Sequence, residues 1–141
     1  MITLNPYLVF KDNCEEAFNF YRVVFGGELY IGRYKDVPLQ AKRFFPLSQD
    51  EKIMHASLKL TPDITLMGCD SIEAYTEPSR FANNFYLYIS ADNQAEAIRI
   101  FNELSVEGEI IMPIDKTFWS TCYGMLTDKF GIRWKVTSAQ N

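Results

Sequence analysis

The chain has 141 residues, enough for one ordinary domain with a core of its own. Hydrophobic residues make up 48% and aromatics 15%, which argues against disorder. A net charge of −4 with no block of five like charges argues against a nucleic-acid partner and against a polybasic membrane patch.

No apolar run approaches the roughly 18 residues of a membrane span. The stretch Met1 to Phe10 lacks the basic start and small-residue cleavage site of a signal peptide. Cys14, Cys69 and Cys122 are odd in number, widely spaced and free of any CxxC. They read as reduced thiols, so a cytoplasmic location is expected.

Leu4 to Phe10 has strand composition, and Asp12 or Asn13 is expected to cap the helix that follows. That helix carries Ala17, Phe18, Tyr21, Val24 and Phe25 at three- and four-residue spacing, one apolar stripe, and Gly26-Gly27 stops it. Glu28 to Tyr34 is a second strand, and about 35 to 50 is a long loop. From Lys52 the pattern alternates: Met54, Ala56, Leu58 and Leu60 to one side, His55, Ser57 and Lys59 to the other. Thr61-Pro62-Asp63 turns the chain into a fourth strand, Ile64 to Cys69.

The same order then recurs. Phe85 to Ser90 is a strand and Asp92-Asn93 a cap. Ala95 to Leu104 is a helix with Ala97, Ile98, Phe101 and Leu104 on one side, ended by Gly108. Glu109 to Ile114 is a strand, and Tyr123 to Thr127 pairs with Ile132 to Thr137 across the turn Lys129-Phe130-Gly131. Asp12-Asn13 and Asp92-Asn93 lie 80 positions apart, and at that offset Glu16, Ala17 and Tyr21 match Glu96, Ala97 and Phe101. An internal repeat fixes architecture. The expected fold is α+β, two βαβββ modules in a single domain: module one about 1–70, a linker about 71–82, module two about 83–141. Each module is an open sheet with a helix on one face.

Several stretches carry a family resemblance. They are Asn5-Pro6-Tyr7-Leu8-Val9-Phe10, Asn13-Cys14-Glu15-Glu16-Ala17-Phe18-Asn19-Phe20-Tyr21, and Phe25-Gly26-Gly27-Glu28. Lys52-Ile53-Met54-His55-Ala56, Met112-Pro113, Phe118-Trp119, and the run Tyr123 to Gly131 followed by Trp134 continue it. In this order they resemble PhnB-like proteins of the glyoxalase/bleomycin-resistance (vicinal oxygen chelate) superfamily. Such sequences are sometimes labelled demethylubiquinone methyltransferases. A methyl donor usually sits on a glycine-rich turn between a strand and a helix, whereas Gly26-Gly27 follows a helix and precedes a strand, so the label is set aside.

The resemblance implies four metal-ligand positions, on the first and last strands of each module. They fall here at Asn5, Met67, Tyr86 and Lys135. A divalent ion wants carboxylate or imidazole donors, so neither a metal nor any other cofactor is expected.

If those positions face a concave side, alternation adds Tyr7, His55, Ser57, Lys59, Thr65, Cys69, Tyr88, Tyr123, Met125 and Arg133, with Trp119 closing the mouth. Aromatics, one histidine and several cations suit a small anionic or aromatic ligand. The plainer readings stand beside this one. His55 fills sheet surface with its ring hydrogen-bonded, the tyrosines pack as strand aromatics do, and Arg133 and Lys135 form a solvated edge. The expected function is small-molecule binding in the cleft between modules, without catalysis. The alternative is a metal-independent lyase or isomerase acting on a small anionic substrate, with His55 as general base. Relatives commonly exchange modules between chains, and with the aromatic excess this implies a homodimer.

Overall fold

The structure, a computed structural model, describes residues 2–37, 50–71, 84–117, 120 and 122–139. Much of the expected long loop, the linker and Trp119 lie outside the described residues. The chain falls into two compact units, Met1–Pro78 and Ser79–Asn141.

In the first unit β1 (Tyr7–Phe10) leads into α1 (Cys14–Phe25) and β2 (Glu28–Arg33). A short 3-10 turn (Tyr34–Asp36) opens the expected loop, and β3 (Ile53–Thr61) and β4 (Ile64–Asp70) complete the unit. The strands lie in the order β1-β4-β3-β2, with β1 parallel to β4 and the other pairs antiparallel. The second unit repeats this with β5 (Leu87–Ala91), α2 (Gln94–Leu104), β6 (Glu109–Asp115), β7 (Tyr123–Thr127) and β8 (Arg133–Ser138). Its order is β5-β8-β7-β6, again with one parallel pair, β5 with β8. The expected α+β class and the βαβββ modules are what is found.

Each helix forms because its apolar residues share one face, and each buries that face on its own sheet. Ala17, Phe18 and Tyr21 of α1 are wholly buried, and α1 packs across β3, β2 and β4. Leu8, Ala56, Leu58 and Leu66 meet it from the sheet, each 3% exposed or less. In the second unit α2 covers β8, β5 and β7 with Ala97, Ile100, Phe101 and Leu104, against Trp134, Val136 and Leu126. The glycine after each helix is fixed by a close approach. A Cβ on Gly27 would lie 2.3 Å from the Lys59 carbonyl oxygen, and one on Gly108 would lie 2.4 Å from that of Thr127.

Three expectations need correction. Ile98 is 38% exposed, and Ile100 takes the buried place in the helix stripe. A register shift between Gly32 and Arg33 pairs His55 with Gly32 but Ile53 with Arg33. This bulge brings Ile53, 1% exposed, into the core, while Met54 is half-buried. Neither Asp12 nor Asn13 caps α1 as expected. Asn13 makes no side-chain cap hydrogen bond, and Asp12 sits at φ 70° with its carboxylate 2.7 Å from the Lys52 ammonium. The buried Asp70 at the end of β4 does that work. It accepts from the N–H of Cys14 at 3.0 Å and from the N–H of Ile53 at 2.9 Å.

Candidate functional site

Strand alternation divides each sheet into a helix face and an open face, and the register says which side chains share the open one. In module one Tyr7 pairs with Met67, Met67 with Ser57, and Ser57 with Tyr30. His55, Lys59, Thr65 and Cys69 belong to the same side by alternation. Tyr7, at 46% exposure, and Tyr30, at 62%, contrast with the buried helix-facing residues beside them.

The chemistry of this face gathers at one spot. The rings of Tyr7 and His55 lie 5.9 Å apart at an interplanar angle of 38°. The Tyr7 hydroxyl stands 3.5 Å from Nδ1 of His55, the outer limit of a hydrogen bond. Burial pushes the Tyr7 phenol up to about 12, and the neighbouring Cys69 adds to this through charge and a hydrogen bond. The Tyr7 hydroxyl therefore keeps its proton at neutral pH. Burial also pushes the Cys69 thiol up, against the hydrogen bond from Tyr7, which lowers it. Cys69 is a poor nucleophile in that state. Burial raises the Cys14 and Cys122 thiols as well. The sequence offered His55 no partner, because Tyr7 stands 48 residues away and only the strand order joins them.

In module two Tyr88 pairs with Lys135, and Lys135 with Met125. The Arg133 guanidinium lies over the Tyr86 ring, 3.9 Å from its centroid, and also donates to the Tyr86 hydroxyl. The Lys135 ammonium is 4.9 Å from the same ring. Tyr88 is 62% exposed, whereas Tyr123, expected to line the site, is buried at 8%. Each module also has an open depression at matching positions. One of about 540 Å³ includes Glu28, Tyr30, Lys59 and Thr65; one of about 510 Å³ includes Glu109, Ile111, Thr127 and Arg133. Neither reaches Tyr7 or His55.

The donors at the four metal positions of the resemblance do not suit a divalent ion. The Asn5 carboxamide oxygen accepts from the N–H of Thr65 at 3.1 Å and so anchors the start of β4. Met67 offers a soft thioether, Tyr86 a phenol engaged by Arg133, and Lys135 a positive charge. Among the described residues no three His, Cys, Asp or Glu come together as a metal cluster. Among the same residues no helix is long and apolar enough to cross a membrane.

Comparison with known proteins agrees with this architecture. A family model described as 3-demethylubiquinone-9 3-methyltransferase matches residues 3–137. The protein YjdN of Escherichia coli K12 is 31% identical, over 94% of this chain and 92% of its own. The crystal structure of PA1353 from Pseudomonas aeruginosa superposes with a TM-score of 0.86 at 36% identity, covering all of both chains. The PhnB protein of Bacillus cereus gives a TM-score of 0.74 at 28% identity over 98% of this chain and all of that one. A glyoxylase/bleomycin resistance protein/dioxygenase domain from Frankia shares the fold at a TM-score of 0.66 and 12% identity, over 99% and 98% of the two chains. On a match spanning nearly its whole length, the chain belongs to the PhnB-like family described as 3-demethylubiquinone-9 3-methyltransferase, built on the glyoxalase/bleomycin-resistance fold.

Proposed function

We propose that this protein binds a small molecule against the open sheet faces of its modules, without catalysing a reaction on it. The observation that carries the reading is the content of those faces. Exposed tyrosines stand beside preassembled polar groups, Tyr7 with His55 in one module and Tyr86 with Arg133 and Lys135 in the other. An apolar surface with a few convergent polar groups is the usual make-up of a ligand site. Methyl transfer draws no support from Gly26-Gly27, since Gly27 is where the chain passes against the Lys59 carbonyl.

One contact favours a second reading, a metal-independent lyase or isomerase. His55 as a base needs an orienting neighbour, and Tyr7 is at hand. Thermal-shift screening against small anionic and aromatic metabolites, followed by native mass spectrometry of protein taken from cells, tests binding. If no compound raises the melting temperature and no mass is retained, the binding reading fails. With a ligand found, His55→Gln separates the two readings. A binder changes affinity modestly and has no turnover to lose, whereas an enzyme loses turnover by a factor of about 10²–10⁴ with affinity mostly kept.

The reading extends to a two-fold homodimer, supported by the exposed apolar side chains Val9, Tyr30, Phe85 and Tyr88 on strands and at a strand entry. Light scattering that gave the 16.3 kDa of one chain at micromolar concentration would refute it. Residence in the cytoplasm is supported by three free cysteines, and cell fractionation tests it.

A further inference from the structure

We propose that Arg133, Lys135 and Tyr86 form a seat for a compact oxyanion, so that the ligand of this protein carries a carboxylate or phosphoryl group bound in module two. This rests on the small-molecule reading above and names the chemistry of its ligand.

Two positive charges converge on one ring. Arg133 and Lys135 are two apart on β8 and so share a face, and both approach Tyr86, at 3.9 Å and 4.9 Å from the ring centroid. Each cation gains from the negative face of the ring. Their mutual repulsion is a cost that an anion lying against both would remove. Among the described residues Lys135 joins none of the ion pairs, as is also true of Lys11, Lys59 and Lys116, but it alone of these four stands beside an arginine over a shared ring. The Tyr86 hydroxyl accepts from Arg133 and so fixes the guanidinium in place. The planar fork of a guanidinium matches carboxylate and phosphate oxygens.

Module one lacks this arrangement at the matching positions. Tyr88 pairs with Lys135 as Tyr7 pairs with Met67, and where module two has Arg133, module one has Thr65. Of the positions that would hold a metal in the resemblance, module two thus carries a cation, Lys135, where module one carries Met67. The exposed ring of Tyr88, cross-strand neighbour of Lys135, gives an apolar surface beside the charge.

The full-length protein is titrated by NMR with benzoate, inorganic phosphate and benzamide, the last a neutral counterpart of the first. The expected result is binding of benzoate or phosphate with shifts at β8, little or none for benzamide, and an affinity that falls as salt is raised. The anion that binds tells a carboxylate from a phosphoryl ligand. Lys135→Met, which installs the residue of the matching position, and Arg133→Gln should each weaken that anion about tenfold or more. Tyr86→Phe keeps the ring and should weaken it by about two- to threefold. Thermal melts confirm that the variants fold; Tyr86→Phe, the smallest change, stands in if the others do not. The inference is overturned if neither anion binds, if benzamide binds as well as benzoate, or if the variants bind like the parent. Benzamide or another neutral compound binding alone would leave the small-molecule reading standing without the oxyanion seat.

Discussion

Module one and module two share a strand order and a helix placement, yet each buries a carboxylate at a different end. In module one it is Asp70, at the close of β4, tying the first N–H of α1 and the first N–H of β3 to one side chain. The matching place in module two is Ser138, and α2 is capped locally instead, by Asn93 accepting from the N–H of Glu96 at 2.9 Å. Module two spends its carboxylate on the β7–β8 turn. Asp128 accepts from the N–H groups of Phe130 and Ile132 and, at 2.9 Å, from the indole N–H of Trp134. The corresponding turn of module one manages with the Thr61 hydroxyl, which accepts from Asp63 and Ile64. Buried backbone donors must be satisfied in both modules; the side chain that does so is free to vary.

The sharpest way to break this comparison is to remove each carboxylate. Asp128→Ala orphans three donors, one of them in the core, and should cost about 3–5 kcal/mol in urea unfolding. Trp134→Phe, which removes one donor and keeps a ring, should cost clearly less. Asp70→Ala orphans two donors and should cost about 2–4 kcal/mol. A loss below about 1 kcal/mol for Asp70→Ala would mean that water replaces the carboxylate and that the tie is incidental. The local caps give a smaller contrast. Asn93→Ala should destabilise by about 1 kcal/mol, while Asn13→Ala, at the same position in module one, should stay within about 0.5 kcal/mol. Equal effects would show that Asp70 does not relieve Asn13 of capping.

A further effect is expected in alkaline solution. Burial, with the Asp70 charge second, raises the Cys14 thiol above its ordinary range. The unfolded chain then releases the proton at a pH where the folded chain still holds it. Stability is therefore full below about pH 8.5 and declines as pH rises beyond it, until the folded thiol itself ionises. Tyr7, pushed up to about 12 from an ordinary 10.0, adds a second decline above its own ordinary value. Cys14→Ala should flatten the first part of this decline in melting temperature between neutral pH and about pH 10.

What the sequence made legible and what it hid divide along range. Alternation from Ala56 to Leu66 separates the helix face from the open face, and a three- and four-residue stripe identifies the buried side of α1, because both depend only on local periodicity. The βαβββ repeat was visible for the same reason. The stripe read from the sequence includes Ile98 and omits Ile100 because a helix stripe is wide enough to admit either, and packing on the sheet decides. The bulge that buries Ile53 depends on the partner strand, and no pattern within β3 announces it. The site shows the same limit. Arg133 and Lys135 were visible as a pair on one strand, but their common attachment to Tyr86 needed β5 laid beside β8. Asn5 also holds the entry to β4, a role hidden from the sequence because its partner Thr65 is 60 residues on.

The Asp70 tie also has a consequence in time. It joins the end of β4 to residues 56 and 17 positions earlier, whereas Asn93 reaches only three residues along its own helix. Contacts that close long loops tend to form after the folding barrier, and local caps can form before it. Asp70→Ala should therefore leave the refolding rate close to that of the parent and accelerate unfolding, while Asn93→Ala should divide its smaller effect between the two rates. Stopped-flow refolding and unfolding in urea would separate them. On that expectation Asp70 works as a latch, setting how long module one stays shut once folded more than how quickly it gets there.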